Sequence, residues 1–371
     1  MVVAAEQAGA RDWFSKPGDS IRGALDRRQL SPHALIASLA GGVDTVKGLF
    51  DGSVAIDQEI AKSLAELLGG SVDFWIRRQA NYDAALEQAV ETACATEADL
   101  WLQNVLAPGP SLTPKISEAK KRDALRRRLA FYNVPTIRSW EARYGRFAGA
   151  ALFRRSSAFE SKLGATILWL RQGELASELV ATKSWNAENL RDRLGSIRSL
   201  SRVSQPARFL PKLKQLCAEA GVALVVRRTP NGCHASGASA LVSPEKAMVL
   251  VSFRHRADDQ FWFTLFHEIG HLLLHNALTF VDDANTPEDR SEQEANEFAQ
   301  DVIIPRHRAD EFEELPERRE AIIRYSVSIG VAPGLIVGQL QRRGRVPYRS
   351  LTSLKRFWTW GEINFADGAT L

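Results

Sequence analysis

The chain has 371 residues, 45% hydrophobic and 25% charged, which is the balance of an ordinary globular protein with room for two or three domains and excludes disorder over most of its length. Its 48 basic and 44 acidic side chains leave a formal charge of +4, too even to identify a nucleic-acid binder from totals alone. Cys94, Cys217 and Cys233 are far apart, odd in number and in no CxxC pair, so neither a disulfide framework nor a thiolate zinc cluster is suggested. The first ten residues lack a basic region followed by an apolar core, and no later stretch reaches about 18 uninterrupted apolar residues. The expectation is a soluble, cytoplasmic protein that does not engage a membrane.

After an Ala-rich lead (1–15), a run of short helices is predicted. Pro17 suits a first helical position, and Ile21, Ala24 and Leu25 make an apolar stripe ending near Arg28. Ser31 is a good N-cap for a second helix through Leu39, which Gly41-Gly42 breaks. A third helix from Val43 to Phe50 stops at Asp51-Gly52, and a fourth from Asp57 to Leu68 stops at Gly69-Gly70. Ser71 can cap a fifth, carrying Phe74, Trp75 and Tyr82. Two short helices joined by a tight Gly-containing turn make the pattern of a helix-turn-helix unit, and the spacing fits any small helical bundle equally well.

Pro17 to Ile21, Ser31 to Leu39, Leu49 to Gly52, Ile56 to Leu68, and Phe74-Trp75 followed by Gln79 to Tyr82 resemble the Xre-type DNA-binding domain of HigA-like antitoxins. The resemblance implies that residues 16–83 bind duplex operator DNA. The reading helix departs from the family pattern, with Gly42, Val43, Asp44, Thr45, Lys47 and Gly48 where Ser, Arg or Lys are usual. Acidic side chains equal basic ones in number between Lys16 and Arg78, so this head supplies little phosphate neutralisation of its own. Thr45 and Lys47 are the expected DNA contacts.

From residue 84 to 205 the pattern is mostly helical and carries no catalytic signature. Pro108 to Pro114 marks a linker, and beyond it the balance turns basic: Lys115, Lys120, Lys121, Arg122, Arg126, Arg127, Arg128, Arg138, Arg143, Arg146, Arg154 and Arg155 face only Glu118, Asp123 and Glu141. Such a run is a solvated helix face or an auxiliary phosphate-contacting surface.

The pattern changes near Pro206. Phe209, Leu213, Leu216 and Cys217 fit a helix, Val222 to Val226 and Ala247 to Phe253 read as strands, and a Gly/Ser-rich loop lies between them. Then Phe261 to His275, FWFTLFHEIGHLLLH, reads as an apolar helix interrupted by His267, Glu268 and His271. One helical turn separates His267 from His271, so both imidazoles can reach one zinc ion, while Glu268 beside them can hold a zinc-bound water. A helix this apolar rarely carries imidazole and carboxylate groups without a partner, and a metal supplies one. A catalytic zinc needs a third protein ligand. His275 lies about 6 Å further along the axis than His271, out of reach of a metal shared with His267, which leaves it structural or in support of the ligands. Ser291 to Pro305 reads as another helix, with Glu292 and Asn296 on one face and Glu294 pointing elsewhere. Glu292 is the proposed third ligand, with Asn296 orienting a histidine.

HEIGH, followed some twenty residues later by E-x-E-A-N-x-F-A and an apolar run ending in Pro, resembles the ImmA/IrrE metallopeptidase family over residues 206–345, with its C-terminal helix around Val327 to Leu340. The resemblance implies a gluzincin-like domain that holds Zn2+ through His267, His271 and Glu292 and cleaves a regulatory protein, with Glu268 taking a proton and passing it to the leaving amine. His255 and Tyr325 are open as oxyanion-stabilising or structural residues, and Cys233-His234 as an extra ligand pair or part of a cleft loop. Arg342, Arg343, Arg345, Arg349, Lys355 and Arg356, running into the tail (346–371), are mixed with Phe357, Trp358 and Trp360; such a mix can contact nucleic acid or pack across a helical surface, and packing is expected.

The fold expected is therefore multidomain: mainly α with an α+β part, an N-terminal helix-turn-helix bundle, a helical connector and a C-terminal gluzincin-like domain. The function expected is a transcriptional regulator or antitoxin whose partners are duplex DNA and a protein substrate or cognate toxin, with a homodimer open. A regulator whose zinc domain only senses a ligand or binds a toxin is the alternative, as is a protease that no longer binds DNA.

Overall fold

A computed structural model describes residues 14–109, 117–148, 157–275, 280–283 and 290–368. Most of the lead, the linker from residue 110 onward, and Lys115, Arg154 and Arg155 of the basic run lie outside those residues. The chain divides into two compact units, Met1–Arg171 and Gln172–Leu371.

The first unit begins with α1 (Pro17–Arg27), α2 (Pro32–Ser38), α3 (Gly42–Asp51), α4 (Gln58–Leu68) and α5 (Val72–Thr92). Local chemistry sets their ends. Asp57 accepts from the Ile60 amide at 2.9 Å and Ser71 from the Phe74 amide at 3.0 Å, while Gly41 and Gly52 take φ of 82°, a conformation in which a Cβ would be strained. Leu35, Val46, Leu49, Leu64 and Trp75 are buried, one from each of α2, α4 and α5 and two from α3. Gly18 lets α1 approach the backbone of α3, since a Cβ there would stand 2.5 Å from the Leu49 carbonyl oxygen. α2 and α3 are joined by Leu39, Ala40 and Gly41, the short Gly-containing turn expected.

α5 continues without interruption past Tyr82, so the expected boundary at 83/84 falls inside a helix. A π turn (Ala93–Glu97) leads to α6 (Ala98–Asn104), followed by α7 (Glu118–Tyr132), α8 (Ile137–Ala148) and α9 (Ser157–Glu178), within which the two units divide. Much of the charge of α7 is already engaged. Arg122 and Arg126 pair with Glu87, and buried Arg128 donates to the carbonyls of Val105 (2.7 Å) and Ala124 (3.0 Å). Lys120 and Arg127 remain exposed.

The second unit contains α10 (Ala187–Ser199), α11 (Pro206–Ala218), β1 (Val222–Val226), β2 (Ala235–Ser243), β3 (Lys246–Val251), α12 (Asp258–Leu274), β4 (Phe280–Asp283), α13 (Arg290–Ile303), α14 (Ala309–Glu313), α15 (Arg319–Ile329), α16 (Pro333–Arg342) and α17 (Trp360–Gly368). The sheet order is β1-β3-β2-β4; β1 runs parallel to β3, and β2 antiparallel to β3 and β4. β1 is buried along its whole length, as its unbroken apolar run requires.

Two expectations need correction. The Gly/Ser-rich segment between the predicted strands is half strand: Ala235 to Ser243 pairs on both sides, and its small side chains let it lie close under α12. The expected single helix from Val327 to Leu340 is two helices, α15 and α16, because Gly330 at φ 77° ends the first and the chain turns by 112°. Among the described residues no single helix is long and apolar enough to cross a membrane.

α16 packs on the first turn of α12, where Gly334 and Gly338 leave room for the buried carboxyls of Asp258 and Asp259. The tail packs as well: Trp358 lies 5.5 Å from the Phe209 ring and donates its indole N–H to the Ser204 carbonyl at 2.8 Å.

Candidate metal centre

α12 buries almost every side chain it carries. Trp262, Leu265, Phe266 and Ile269 enter the core of the second unit, and Asp258 and Asp259 sit at its N-terminus, where the helix dipole favours them. Against that apolar background His267, Glu268 and His271 are 3%, 0% and 1% exposed. Gly270, between the two histidines, explains how α13 reaches them. A Cβ there would stand 3.0 Å from the Phe298 ring and 3.3 Å from the Ala295 Cα, so a residue without one lets the helices approach without displacing α13.

That approach brings Glu292 to the histidines. The Nε2 atoms of His267 and His271 are 3.0 Å apart; Glu292 Oε2 lies 3.1 Å from the first, and Oε1 lies 3.4 Å from the second. One donor atom from each of the three residues lies within 4.8 Å of the others, as sharing one ion requires. The other ring nitrogens have their own partners. His267 Nδ1 is 3.1 Å from Asn296 Oδ1, and His271 Nδ1 is 3.1 Å from His275 Nδ1. His275 Nε2 in turn lies 3.0 Å from Glu294 Oε2, whose other oxygen accepts from Arg290 Nε at 2.8 Å.

Electrostatics keep the donors available. Burial pushes the His271 imidazolium towards its neutral form, outweighing the pull of Glu292. Burial alone would raise the Glu292 carboxyl, but the hydrogen bonds and charges of His267 and His271 outweigh it and hold the group down at about 2. Two imidazoles and one ionised carboxylate form a donor set that suits zinc: borderline nitrogen and oxygen ligands, three in number.

Glu268 is turned to the sheet. Its Oε2 accepts from Ser239 Oγ at 2.7 Å, and Gly237 lies directly beneath it, where a Cβ would come within 2.7 Å of the Glu268 Cγ and of Thr264 Cγ2. Neither β2 residue was foreseen, because both stand in a segment read as loop. Glu294 was foreseen only as facing away from Glu292. It does so, and reaches the far side of His275.

The remaining candidates lie apart from this group. Tyr325 donates to the Arg308 carbonyl at 2.9 Å, a structural use, and burial raises its phenol. His255 is exposed, and His234 Nδ1 lies 3.0 Å from Arg254 Nη2. Cys233 and His234 are not among the grouped donors. In the first unit, Thr45 donates its hydroxyl to the Ala40 carbonyl at 2.7 Å, closing the turn before α3, and Lys47 is half-buried on the same helix.

No curated protein matches the chain. Residues 224–336, which span β1 to the first turn of α16 and include all three grouped donors, match the family model of the IrrE N-terminal-like domain, a peptidase family. This part of the chain is thus similar to a metallopeptidase domain.

Proposed function

We propose that the chain is a zinc metallopeptidase joined to a DNA-binding regulator, and that it hydrolyses a protein partner. The observation that carries this reading is the convergence of His267 Nε2, His271 Nε2 and the Glu292 carboxylate on one point, with the two histidines on a helix that also carries the buried Glu268. His267, His271 and Glu292 hold Zn2+, which supplies Lewis-acid polarisation of the scissile carbonyl. Asn296 accepts from His267 Nδ1–H and orients that ring. Glu268 removes the proton from the attacking water and delivers it to the leaving amine, while Ser239 holds its carboxylate in place from β2. The low dielectric around these buried groups strengthens each of these interactions.

In the first unit, residues 16–83 act as a helix-turn-helix head for duplex DNA, with Lys47 as a phosphate or base-edge contact and Thr45 bracing the turn. What supports this is the order of short helices and the three-residue turn between α2 and α3. Cleavage of a regulatory partner, or of the chain itself, then changes occupancy of the operator.

A second reading is favoured by one observation: Glu268 has no exposed surface, so the domain can be a zinc-held sensor or toxin-binding module that peptides do not enter. Capture separates the two. The full-length Glu268→Gln protein should retain a bound partner intact, and the wild type should cleave that partner, with chelation stopping it. A partner that stays whole beside zinc-loaded wild type supports the sensor. For the head, Lys47→Ala should weaken binding to the chain's own promoter and lower the salt slope by about one unit; unchanged binding would remove Lys47 from the contact set.

A further inference from the structure

The zinc reading leaves one arrangement unexplained. The second histidine of the motif is braced by another histidine, and that histidine is braced by a glutamate on the neighbouring helix. The chain runs Glu294 Oε2, His275 Nε2, His275 Nδ1, His271 Nδ1, with separations of 3.0 Å between Glu294 and His275 and 3.1 Å between the rings.

Hydrogen-bond chemistry gives this chain one direction. Glu294 is ion-paired with Arg290, whose Nε donates to Oε1 at 2.8 Å, and a carboxylate so paired only accepts. His275 Nε2 must therefore carry the proton. A neutral imidazole has one donor and one acceptor, so His275 Nδ1 is then the acceptor. The Nδ1 of His271, 3.1 Å away, supplies the proton it accepts, and that leaves the lone pair of His271 on Nε2. This is the atom that faces His267 Nε2 and Glu292. The opposite direction would set a lone pair against a carboxylate at one end and a proton against the ligand position at the other.

We propose that His275 and Glu294 are positioning residues of the metal centre, fixing His271 as the Nδ1–H tautomer with Nε2 presented to the metal. The inference rests on the zinc reading above. It also accounts for the spacing within E-x-E: α13 sends Glu292 to the metal point and, two residues on and roughly 200° around the axis, Glu294 to the outer end of the relay. One helix thereby holds both ends of His271. His275 is the C-cap of α12, with its amide on the His271 carbonyl at 3.0 Å, so its backbone is fixed by the same turn that its ring completes.

The test is zinc affinity of the full-length chain, by competition with a chromophoric chelator, together with the visible spectrum of the Co2+-substituted protein. Glu294 is 40% exposed, so its replacement leaves the fold intact. Glu294→Ala and His275→Ala should weaken zinc binding about 10- to 100-fold and shift the cobalt bands, because the His271 ring loses its fixed tautomer and orientation. Glu294→Gln, whose amide oxygen still accepts from His275, should remain near wild type in both readouts. If the wild type binds one zinc that His267→Ala abolishes, while Glu294→Ala equals wild type, the relay is overturned and the metal centre stands. Equal losses in Glu294→Ala and Glu294→Gln overturn the relay as well, since acceptance would then not be the cause. A wild type that binds no zinc overturns both inferences.

Discussion

The two units handle buried polar side chains in opposite ways. In the first, the polar side chains that are engaged end singly on nearby partners: Arg78 Nε on Ser20 Oγ at 2.9 Å, Arg128 on two backbone carbonyls, and Trp75 Nε1 on the Gly69 carbonyl at 3.0 Å. In the second, two imidazoles and a carboxylate turn their donor atoms towards one another, and their outer atoms are tied to Asn296 and His275. Dispersed pairs of the first kind satisfy hydrogen bonds and hold helices together. Convergence of the second kind sets lone pairs against lone pairs, which a fold tolerates when a cation is to stand between them.

The contrast can be sharpened by perturbation. Zinc should stabilise the second unit alone. At about a thousand times its dissociation constant it adds roughly 4 kcal/mol, seen as a rise in the melting transition that includes α12 and is reversed by chelation. Glu292→Ala should cancel the rise; a rise that survives it would place the ion elsewhere.

A pH effect of smaller size comes from Asp258. Burial pushes its carboxyl up to about 6, against an unfolded value of about 3.9. The folded state therefore binds the extra proton between those values, so stability falls as pH rises from about 4 to about 6 and is level above that. The expected loss is about 2–3 kcal/mol. Asp258→Asn, melted in the presence of chelator, should flatten that slope; an unaltered slope would assign it to another group.

Two glycines give the closest matched comparison. Gly18→Ala drives a Cβ into the Leu49 carbonyl and should cost about 1–3 kcal/mol in the first unit without touching zinc affinity. Gly237→Ala should cost a similar amount but also displace Glu268, lowering proteolysis while zinc content holds. If both variants lower stability and neither alters turnover, Glu268 is not positioned by β2. Ser239→Ala is the most local probe: it removes one hydrogen bond to that carboxylate, should cost about 1–3 kcal/mol of stability, and should lower turnover while zinc content holds.

The helices of the first unit and the metal-bearing pair α12 and α13 were legible because they rest on local signals: caps, glycine stops and an i, i+4 spacing of chemistry-bearing residues. What was missed depends on contacts distant in sequence. β2 is built from Ala, Ser and Gly, a composition poor in strand signal, and it forms a strand because β3 and, more distant in sequence, β4 pair with it on both sides. The break at Gly330 was hidden by continuous apolar spacing across α15 and α16. Glu294 looked idle because only its own helix was considered, whereas its partner is the C-cap of another. The basic run after the linker read as a surplus of charge; Glu87, some 35 residues earlier, takes up Arg122 and Arg126.

The central claim is that the converging donors of α12 and α13 hold a metal. Zinc analysis and X-ray absorption on the full-length protein test it most directly. The account predicts one zinc per chain, coordinated by imidazole nitrogen and carboxylate oxygen at about 2.0–2.2 Å, and lost in His267→Ala and Glu292→Ala. A chain purified without zinc that takes up none when it is supplied, or one whose zinc survives both substitutions, would contradict it.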